Sequence, residues 1–207
     1  MRPVRIARAL VAVVTLMGAF ALAGCQYAGA PGAPRVGVAG DSLVRQAESA
    51  TQARLAPDHR VTVYALNNTR FEQLVFPVAE MRRSGSRSIV IAAGAPDVVA
   101  ATHPTYGFVP VVRIREVVEA AGQVPCVALV TVKEDGVAPI ATTRWREGAR
   151  VINAELRRQA EARANVVLVD WSAKAARHPG WFLSDGLHLN ASGIAGFART
   201  LDRAADC

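Results

Sequence analysis

The chain has 207 residues, of which 51% are hydrophobic, 20% charged and 6% aromatic, and its formal net charge is +7. A chain of this length and apolar content can form one domain with a substantial core. No basic run interleaved with aromatic residues indicates a nucleic-acid partner. The cysteines and histidines show no metal-ligand spacing, so we expect neither a metal site nor a cofactor.

The first 24 residues have the pattern of an export signal. Arg2, Arg5 and Arg8 precede an apolar run at 9–23, which is shorter than a transmembrane helix needs. The run ends in Leu22-Ala23-Gly24-Cys25, which resembles a bacterial lipobox, in which the cysteine is lipidated and becomes the first residue after cleavage. The alternative is an ordinary signal peptide with an incidental cysteine.

A lipidated Cys25 predicts an exported protein that is anchored to the bacterial cell membrane by acyl chains such as palmitate. Each buried methylene contributes about 0.8 kcal/mol, so several chains on one residue give stable anchoring. Residues 25–34 are rich in Gly, Ala and Pro and predict a short tether to a single domain at 35–207. Without the three arginines of the signal, the 24 basic residues become 21 against 17 acidic ones, a net charge of +4.

Along 35–207, short β-branched runs alternate with longer helical patterns. Strands are predicted at 35–39, 60–66, 88–93, 124–132 and 165–169, and helices at 42–55, 70–83, 111–121, 143–164 and 191–205. Nearly continuous apolar strands separated by helices indicate a parallel sheet with helices on both faces. In such sheets the reactive groups collect at the carboxyl ends of the strands.

Two segments that are far apart in the chain carry the residues of a nucleophilic site. Gly40-Asp41-Ser42-Leu43 places a serine on a tight turn after the first strand, and Asp185 and His188 lie three positions apart near the C-terminus. A serine hydroxyl needs a neighbouring base to take its proton, and that base needs a group that orients it. The pattern predicts Ser42 as nucleophile, His188 as base and Asp185 as the orienting carboxylate.

Over about 36–201 the chain resembles the SGNH (GDSL) hydrolases. Gly40-Asp41-Ser42-Leu43 matches the first block of that family and Asp185-x-x-His188 the last. The run 170–201 looks especially like the SGNH domains of bacterial envelope acyl-ester enzymes. The resemblance implies an α/β fold, a flavodoxin-like three-layer α/β/α sandwich with a five-stranded parallel sheet. It also implies a triad of Ser42, His188 and Asp185.

Each member of this triad has an alternative. Ser42 could serve only as the N-cap of its helix, and Asp170 at the end of the last strand is a rival partner for the histidine. The other histidines compete with His188 as the base: His59, His103 and His178.

The oxyanion hole is where the chain departs from the family. The third block, Gly-x-Asn-Asp, normally supplies an asparagine amide, but here it is Gly94-Ala95-Pro96-Asp97, and proline has neither a side-chain amide nor a backbone N–H. The second block normally supplies a glycine N–H, where this chain has Asn67-Asn68. We expect the hole to combine the Ser42 N–H with Asn67 or Asn68, since asparagine tolerates the turn conformation of glycine. Asp97 is expected to shape a turn or cap a helix.

Two further groups of residues have predicted roles. Trp171, Trp181 and Phe182 could line an acyl or sugar subsite or pack as core and rim residues. Cys126 and Cys207 form an even pair outside the cytoplasm, which favours a disulfide over two free thiols. Cys126 lies near the start of the fourth strand, and a final helix antiparallel to the strands returns Cys207 to that same edge.

The leading hypothesis is an exported serine ester hydrolase, or an acyltransferase using the same acyl-enzyme, that acts as a monomer on O-acyl esters of envelope glycans or lipids. The residues are compatible with both hydrolysis and transfer. The alternative is a non-catalytic envelope lipoprotein that uses the fold as a binding module. Pro96 and the absence of the second-block glycine favour that alternative, and the intact Ser42, Asp185 and His188 oppose it.

Overall fold

The computed structural model describes residues 29–102, 111–135 and 143–207. The predicted signal segment 1–24, the predicted lipidation site Cys25 and the first part of the tether lie outside these residues, as does His103. In the described part of the chain, no helix combines the length and the apolar character needed to cross a membrane.

Five strands, seven α-helices and one short 3-10 helix (Pro179–Trp181) occur in the described ranges. The strands are β1 (Arg35–Gly40), β2 (Arg60–Ala65), β3 (Ser88–Ala92), β4 (Cys126–Val130) and β5 (Val166–Val169). The helices are α1 (Ser42–Leu55), α2 (Phe71–Arg83), α3 (Ala95–Thr102), α4 (Val111–Ala121), α5 (Thr143–Glu161), α6 (Trp171–Ala176) and α7 (Ala191–Ala204).

All five strands run parallel in the order β2-β1-β3-β4-β5. In the centre of the sheet Val38 pairs with Val63 on one side and with Val90 on the other. The chain therefore leaves β1 toward β2 and later returns to the opposite side of β1 to form β3. This reversal opens a crevice at the carboxyl ends of β1 and β3, which is where open α/β sheets bind ligands.

Alternate side chains of each strand enter two separate cores, as the period of a strand requires. Ile89 and Ile91 of β3 pack with apolar residues of α2, α4 and α5, whereas Val90 and Ala92 pack with those of α1, α6 and α7. The helices thus cover both faces of the sheet. The predicted parallel sheet in a three-layer sandwich is confirmed.

Two short helices were absent from the sequence prediction. In α3, Pro96 occupies the first turn, where its missing N–H breaks no helical hydrogen bond. The helix α6 has only six residues, too few to show a helical period, and begins at a cap formed by Asp170. The predicted strand at 124–132 is also too long, since the paired segment is Cys126–Val130.

The predicted disulfide is confirmed. Cys126 is the first residue of β4, Cys207 follows α7, and the two are bonded with their Cα atoms 5.6 Å apart. The helix α7 returns the chain to the amino edge of the sheet. At that edge Asp206 Oδ1 lies 3.4 Å from His59 Nε2. The bond therefore attaches the end of the chain to the edge opposite Ser42.

Removing this disulfide should lower stability and leave the chemistry unchanged. The bridge joins residues 81 positions apart, for which the chain-entropy estimate is about 4 kcal/mol. We expect C126S/C207S to lose part or all of that free energy of unfolding in urea titrations, while keeping its turnover of an aryl ester at low temperature. Unchanged stability, or lost turnover in a fully folded variant, would contradict the assigned role.

Candidate active site

Ser42 lies at the sharp turn from β1 into α1. The Asp41 N–H donates to the carbonyl oxygen of Ala92 at 3.3 Å, which holds the ends of β1 and β3 together. A Cβ at Gly40 would collide with that carbonyl and with Val44, so the turn requires glycine at this position. The N-cap of α1 is Asp41 and not Ser42, because the Asp41 side chain accepts from the Leu43 N–H at 3.1 Å. The N-cap interpretation of Ser42 is therefore wrong.

The structure brings the three predicted residues into one hydrogen-bonded chain. His188 Nε2 lies 3.1 Å from Ser42 Oγ, across 146 positions of sequence. His188 Nδ1 lies 2.6 Å from Asp185 Oδ2. The other carboxylate oxygen, Oδ1, accepts from the backbone N–H groups of Leu187 and His188, both at 2.9 Å. This is the geometry that a nucleophile, a base and an orienting carboxylate need.

The electrostatics of Asp185 favour its ionised form. Partial burial raises the pKa of this carboxyl, but the hydrogen bonds from the His188 ring and from the two backbone amides outweigh burial, so its pKa lies below the usual value. An ionised carboxylate at 2.6 Å favours the tautomer with the proton on His188 Nδ1. Nε2 is then the acceptor that faces the Ser42 hydroxyl.

Gln46 fixes the loop that carries His188 and was missed by sequence reasoning. The Leu189 N–H donates to Gln46 Oε1 at 3.0 Å, and the Leu183 N–H donates to the carbonyl oxygen of His188 at 2.7 Å. Gln46 lies four residues after Ser42 on α1, so both side chains project from the same face of the helix. That spacing is the signal that could have identified it.

Asp41 joins the first block to the third. Its Oδ2 accepts from the Ala95 N–H at 3.3 Å, and the side chain is only 2% exposed. Burial raises its pKa to about 6, although the backbone amides of Leu43, Ala95 and Gly94 partly offset the penalty. Gly94 is required here because its φ is +126° and a Cβ would lie 2.7 Å from Val132 Cγ2. Asp41 thus shapes the turn, as its place beside Ser42 indicates.

Asp97 caps a helix other than its own. Its Oδ2 accepts from the N–H of Phe71, the first residue of α2, at 3.3 Å. Burial raises the pKa of Asp97 to about 7, partly opposed by the Phe71 amide and by the charge of Arg70. The expected capping role is confirmed, and it ties α2 to the third block.

The second-block asparagines lie in the exposed turn after β2. Asn68 has a φ of +61°, a conformation that glycine adopts more readily than other residues. The Thr69 hydroxyl donates to the carbonyl oxygen of Leu66 at 3.0 Å and closes this turn. Asn68 therefore takes the backbone conformation that the missing glycine would supply.

Three of the rival residues lie in the described part of the chain, and each has another partner. Asp170 caps α6, since its Oδ1 accepts from the Ala173 N–H at 2.9 Å and lies 3.3 Å from the Thr131 hydroxyl. His59 lies beside Asp206 at the opposite edge of the sheet. The ring of His178 stacks on Trp181 with centroids 3.9 Å apart. Among the described residues, these contacts place Asp170, His59 and His178 apart from the hydrogen-bonded chain of Ser42, His188 and Asp185.

Trp171, Trp181 and Phe182 do not share one environment. Trp171 is 1% exposed and packs edge-on against Phe197 at 4.7 Å, so it belongs to the core. Trp181 fits against Gly193 and Gly196 of α7, where a Cβ would collide with it. Phe182 is half-buried.

In the described part of the chain, no three His, Cys, Asp or Glu side chains converge as metal ligands would.

Known structures share this architecture. The C-terminal catalytic domain of Streptococcus pneumoniae peptidoglycan O-acetyltransferase A (OatA), with a methylsulfonyl adduct, superposes with a TM-score of 0.67 at 19% identity, covering 84% of this chain and 93% of that domain. LAE5, an α/β hydrolase enzyme from the metagenome of Lake Arreo, gives 0.68 at 17% identity over 89% and 99%. A GDSL-like lipase of Bacteroides thetaiotaomicron gives 0.66 at 16% over 83% and 87%. The chain has the SGNH/GDSL hydrolase fold.

Sequence comparison gives a shorter match. Over 48 residues the chain is 44% identical to a Bacillus subtilis protein named "Putative peptidoglycan O-acetyltransferase YrhL". That match covers 23% of this chain and 8% of the length of the Bacillus protein. No model of a protein family matches the chain.

Asp97→Asn should stabilise the protein more at pH 8 than at pH 4.5. The folded-state pKa of about 7 lies above the ordinary value of 3.8. The folded protein therefore keeps a proton that the unfolded chain releases, and wild-type stability falls as pH rises through this window. Asparagine keeps an acceptor for the Phe71 N–H and cannot ionise. The gain should reach up to about 4 kcal/mol at pH 8.

Urea titrations of both proteins at the two pH values check this expectation, with the exposed Asp58→Asn as the matched control. An effect of Asp97→Asn that is the same at both pH values would contradict the buried, ionisable state of this carboxyl.

Proposed function

We propose that the chain is a serine ester hydrolase or acyltransferase that works through an acyl-enzyme on Ser42. The observation that carries this proposal is the continuous hydrogen-bonded chain from Ser42 Oγ through His188 to Asp185. A serine that only caps a helix, or a histidine that only lies in a loop, does not need these hydrogen bonds. The same three side chains at these distances are what nucleophilic acyl transfer requires.

The geometry supports the following steps. Ser42 Oγ attacks the ester carbonyl carbon while His188 Nε2 takes the hydroxyl proton, and Asp185 stabilises the imidazolium that forms. The tetrahedral intermediate collapses as His188 returns that proton to the departing alcohol oxygen, which leaves the acyl group on Ser42. Water or a sugar hydroxyl then attacks the acyl-enzyme, with His188 again accepting and returning the proton. Water completes hydrolysis, and a sugar hydroxyl completes transfer.

The oxyanion is proposed to bind the N–H of Ser42 at the start of α1, where helix amides and dipole favour negative charge. A second donor is proposed from Asn68, with Asn67 as the alternative in the same turn. Pro96, in the first turn of α3, supplies no donor. Removing one oxyanion donor costs about 2.7–4 kcal/mol of transition-state stabilisation, which predicts slower or more specialised turnover than in family members with the asparagine.

We propose O-acyl esters of envelope glycans or lipids as the substrates. Both the pneumococcal domain and the Bacillus protein carry peptidoglycan O-acetyltransferase in their names. The signal-like pattern at 1–24 and the lipobox ending in Cys25 favour export and a lipid anchor on the bacterial membrane. In this proposal the protein is a monomer that modifies envelope material within reach of its tether.

The second candidate function is a binding module without catalysis. It is favoured by Pro96, which replaces the usual oxyanion donor. Kinetic measurements on the triad separate the two candidates, because a binding module needs no proton transfer between Ser42 and His188.

Substitutions in the triad should abolish ester hydrolysis. With 4-nitrophenyl acetate as substrate, Ser42→Ala and His188→Ala should each lower kcat on the order of 10⁴-fold, because attack and proton transfer act as a unit. Asp185→Asn should lower kcat on the order of 10⁴-fold, because it removes the charge that stabilises the imidazolium and fixes the tautomer of His188. The matched controls are His178→Ala and Ser184→Ala, both on exposed residues. Wild-type turnover by purified, folded Ser42→Ala would refute the mechanism.

Glycine and alanine at position 68 should affect kcat differently. Glycine keeps the positive φ of Asn68 at no steric cost, whereas alanine is strained there. If the backbone N–H is the oxyanion donor, Asn68→Gly keeps kcat for the aryl ester and Asn68→Ala lowers it several-fold. An equal loss of kcat in Asn68→Gly and Asn68→Ala would assign the side-chain amide of Asn68 as the oxyanion donor. Asn67→Ala tests the neighbouring asparagine in the same way. No loss in any of the three variants contradicts both asparagines as donors.

A further inference from the structure

Lys133 is a buried cation at the carboxyl edge of the sheet that the proposed reaction does not use. It follows β4 by three residues and is only 8% exposed. Its Nζ lies 4.8 Å from the centre of the Phe182 ring. Burial lowers the pKa of Lys133, and the charge of Asp135 opposes that effect. Lysine is rarely buried to this extent, because removing its ammonium from water is costly.

This side chain lines a cavity of about 260 Å³. The other walls come from the loop that carries the base (Phe182, Leu183 and Gly186) and from α6 (Ser172 and Ala175). Gly186 is adjacent to Asp185 and two residues from His188, and two residues of chain span at most about 7 Å. The cavity is therefore close enough to the reacting centre to hold a neighbouring part of the same substrate.

The lining has the chemistry of a subsite for a charged sugar. The cavity is slightly smaller than the roughly 300–1,000 Å³ of a whole-ligand pocket, which suits one sugar unit or one substituent. Phe182 offers an aromatic face and Leu183 an apolar rim that is 48% exposed. Asp135 also lines the cavity, where its Oδ1 accepts from Arg146 Nε at 3.0 Å. Lys133 is the basic residue among the described lining residues.

We propose that this cavity binds an anionic group, a carboxylate or a phosphate, carried by the sugar next to the scissile ester, and that Lys133 determines specificity for it. The inference rests on the proposed function, since it assigns part of the same substrate. A charge-assisted hydrogen bond from a poorly hydrated ammonium favours a charged substrate over its neutral analogue by about tenfold.

Matched pairs of O-acetylated sugars test the proposal. One pair is O-acetylated N-acetylmuramic acid and its methyl ester, in which a neutral group replaces the charged carboxylate; the release of acetate is followed, so that cleavage of the methyl ester does not contribute. The other pair is 6-O-acetylglucose 1-phosphate and 6-O-acetylglucose, which differ in the phosphate. The measured quantity is the ratio of kcat/KM within each pair. A ratio taken within one variant cancels changes in folded fraction or in general activity.

In the wild-type protein we expect a ratio of about ten for one of the pairs, and that pair identifies the anion. Lys133→Met should bring the ratio to about one, and Lys133→Arg should keep part of it. The control is Arg177→Met, which removes an exposed cation just after α6 that does not line the cavity. The control should keep the wild-type ratio. Ratios that are unchanged in Lys133→Met, or that fall equally in Arg177→Met, would overturn the proposal.

A binding measurement separates this proposal from the proposed function. NMR titrations of Ser42→Ala with N-acetylmuramic acid, its methyl ester and glucose 1-phosphate require no catalysis. Adding Lys133→Met should weaken binding of one charged sugar about tenfold and leave the neutral ester unchanged. If Lys133→Met weakens this binding while the wild-type protein hydrolyses none of the esters, the proposed function fails and the subsite stands. Equal affinities with and without Lys133 would reject the subsite.

Discussion

The buried side chain of Asp41 is the constraint on which the site depends. The helices α1 and α3, which follow β1 and β3, pack on opposite faces of the sheet, yet Ser42 and the third block must keep a fixed relation between them. Asp41 keeps that relation, since its backbone N–H binds Ala92 and its carboxylate accepts from Leu43 and Ala95. Ser42 is thereby held at the start of α1, and Gln46, one helical turn later, holds the loop of His188.

Three carboxyl groups lie near the site, and their environments shift their pKa values in different directions. Burial dominates at Asp41 and Asp97 and raises the pKa of each, to about 6 and about 7. Both organise backbone amides between elements. Hydrogen bonds outweigh burial at Asp185, which keeps that carboxyl ionised beside His188.

Much of this arrangement could be predicted from the sequence, because its signals are local. Apolar strands alternating with helices predicted the layers, and the two end motifs predicted Ser42, Asp185 and His188. The disulfide followed from strand polarity, since Cys126 and the end of α7 must share an edge. Contacts between segments that no motif marks were missed. Gln46 lies one helical turn after Ser42, but that spacing alone does not show that its side chain accepts from the Leu189 N–H. The six-residue helix α6 is too short to show a helical period.

The central claim is that Ser42 is an activated nucleophile, and covalent labelling tests it without knowledge of the substrate. A fluorophosphonate should add once per chain, at Ser42, as located by peptide mass spectrometry. Labelling should be far slower in His188→Ala than in the wild type, because the histidine takes the proton that activates the hydroxyl. Absence of labelling in the folded wild-type protein, or labelling of Ser42 at the same rate with and without His188, would contradict this account.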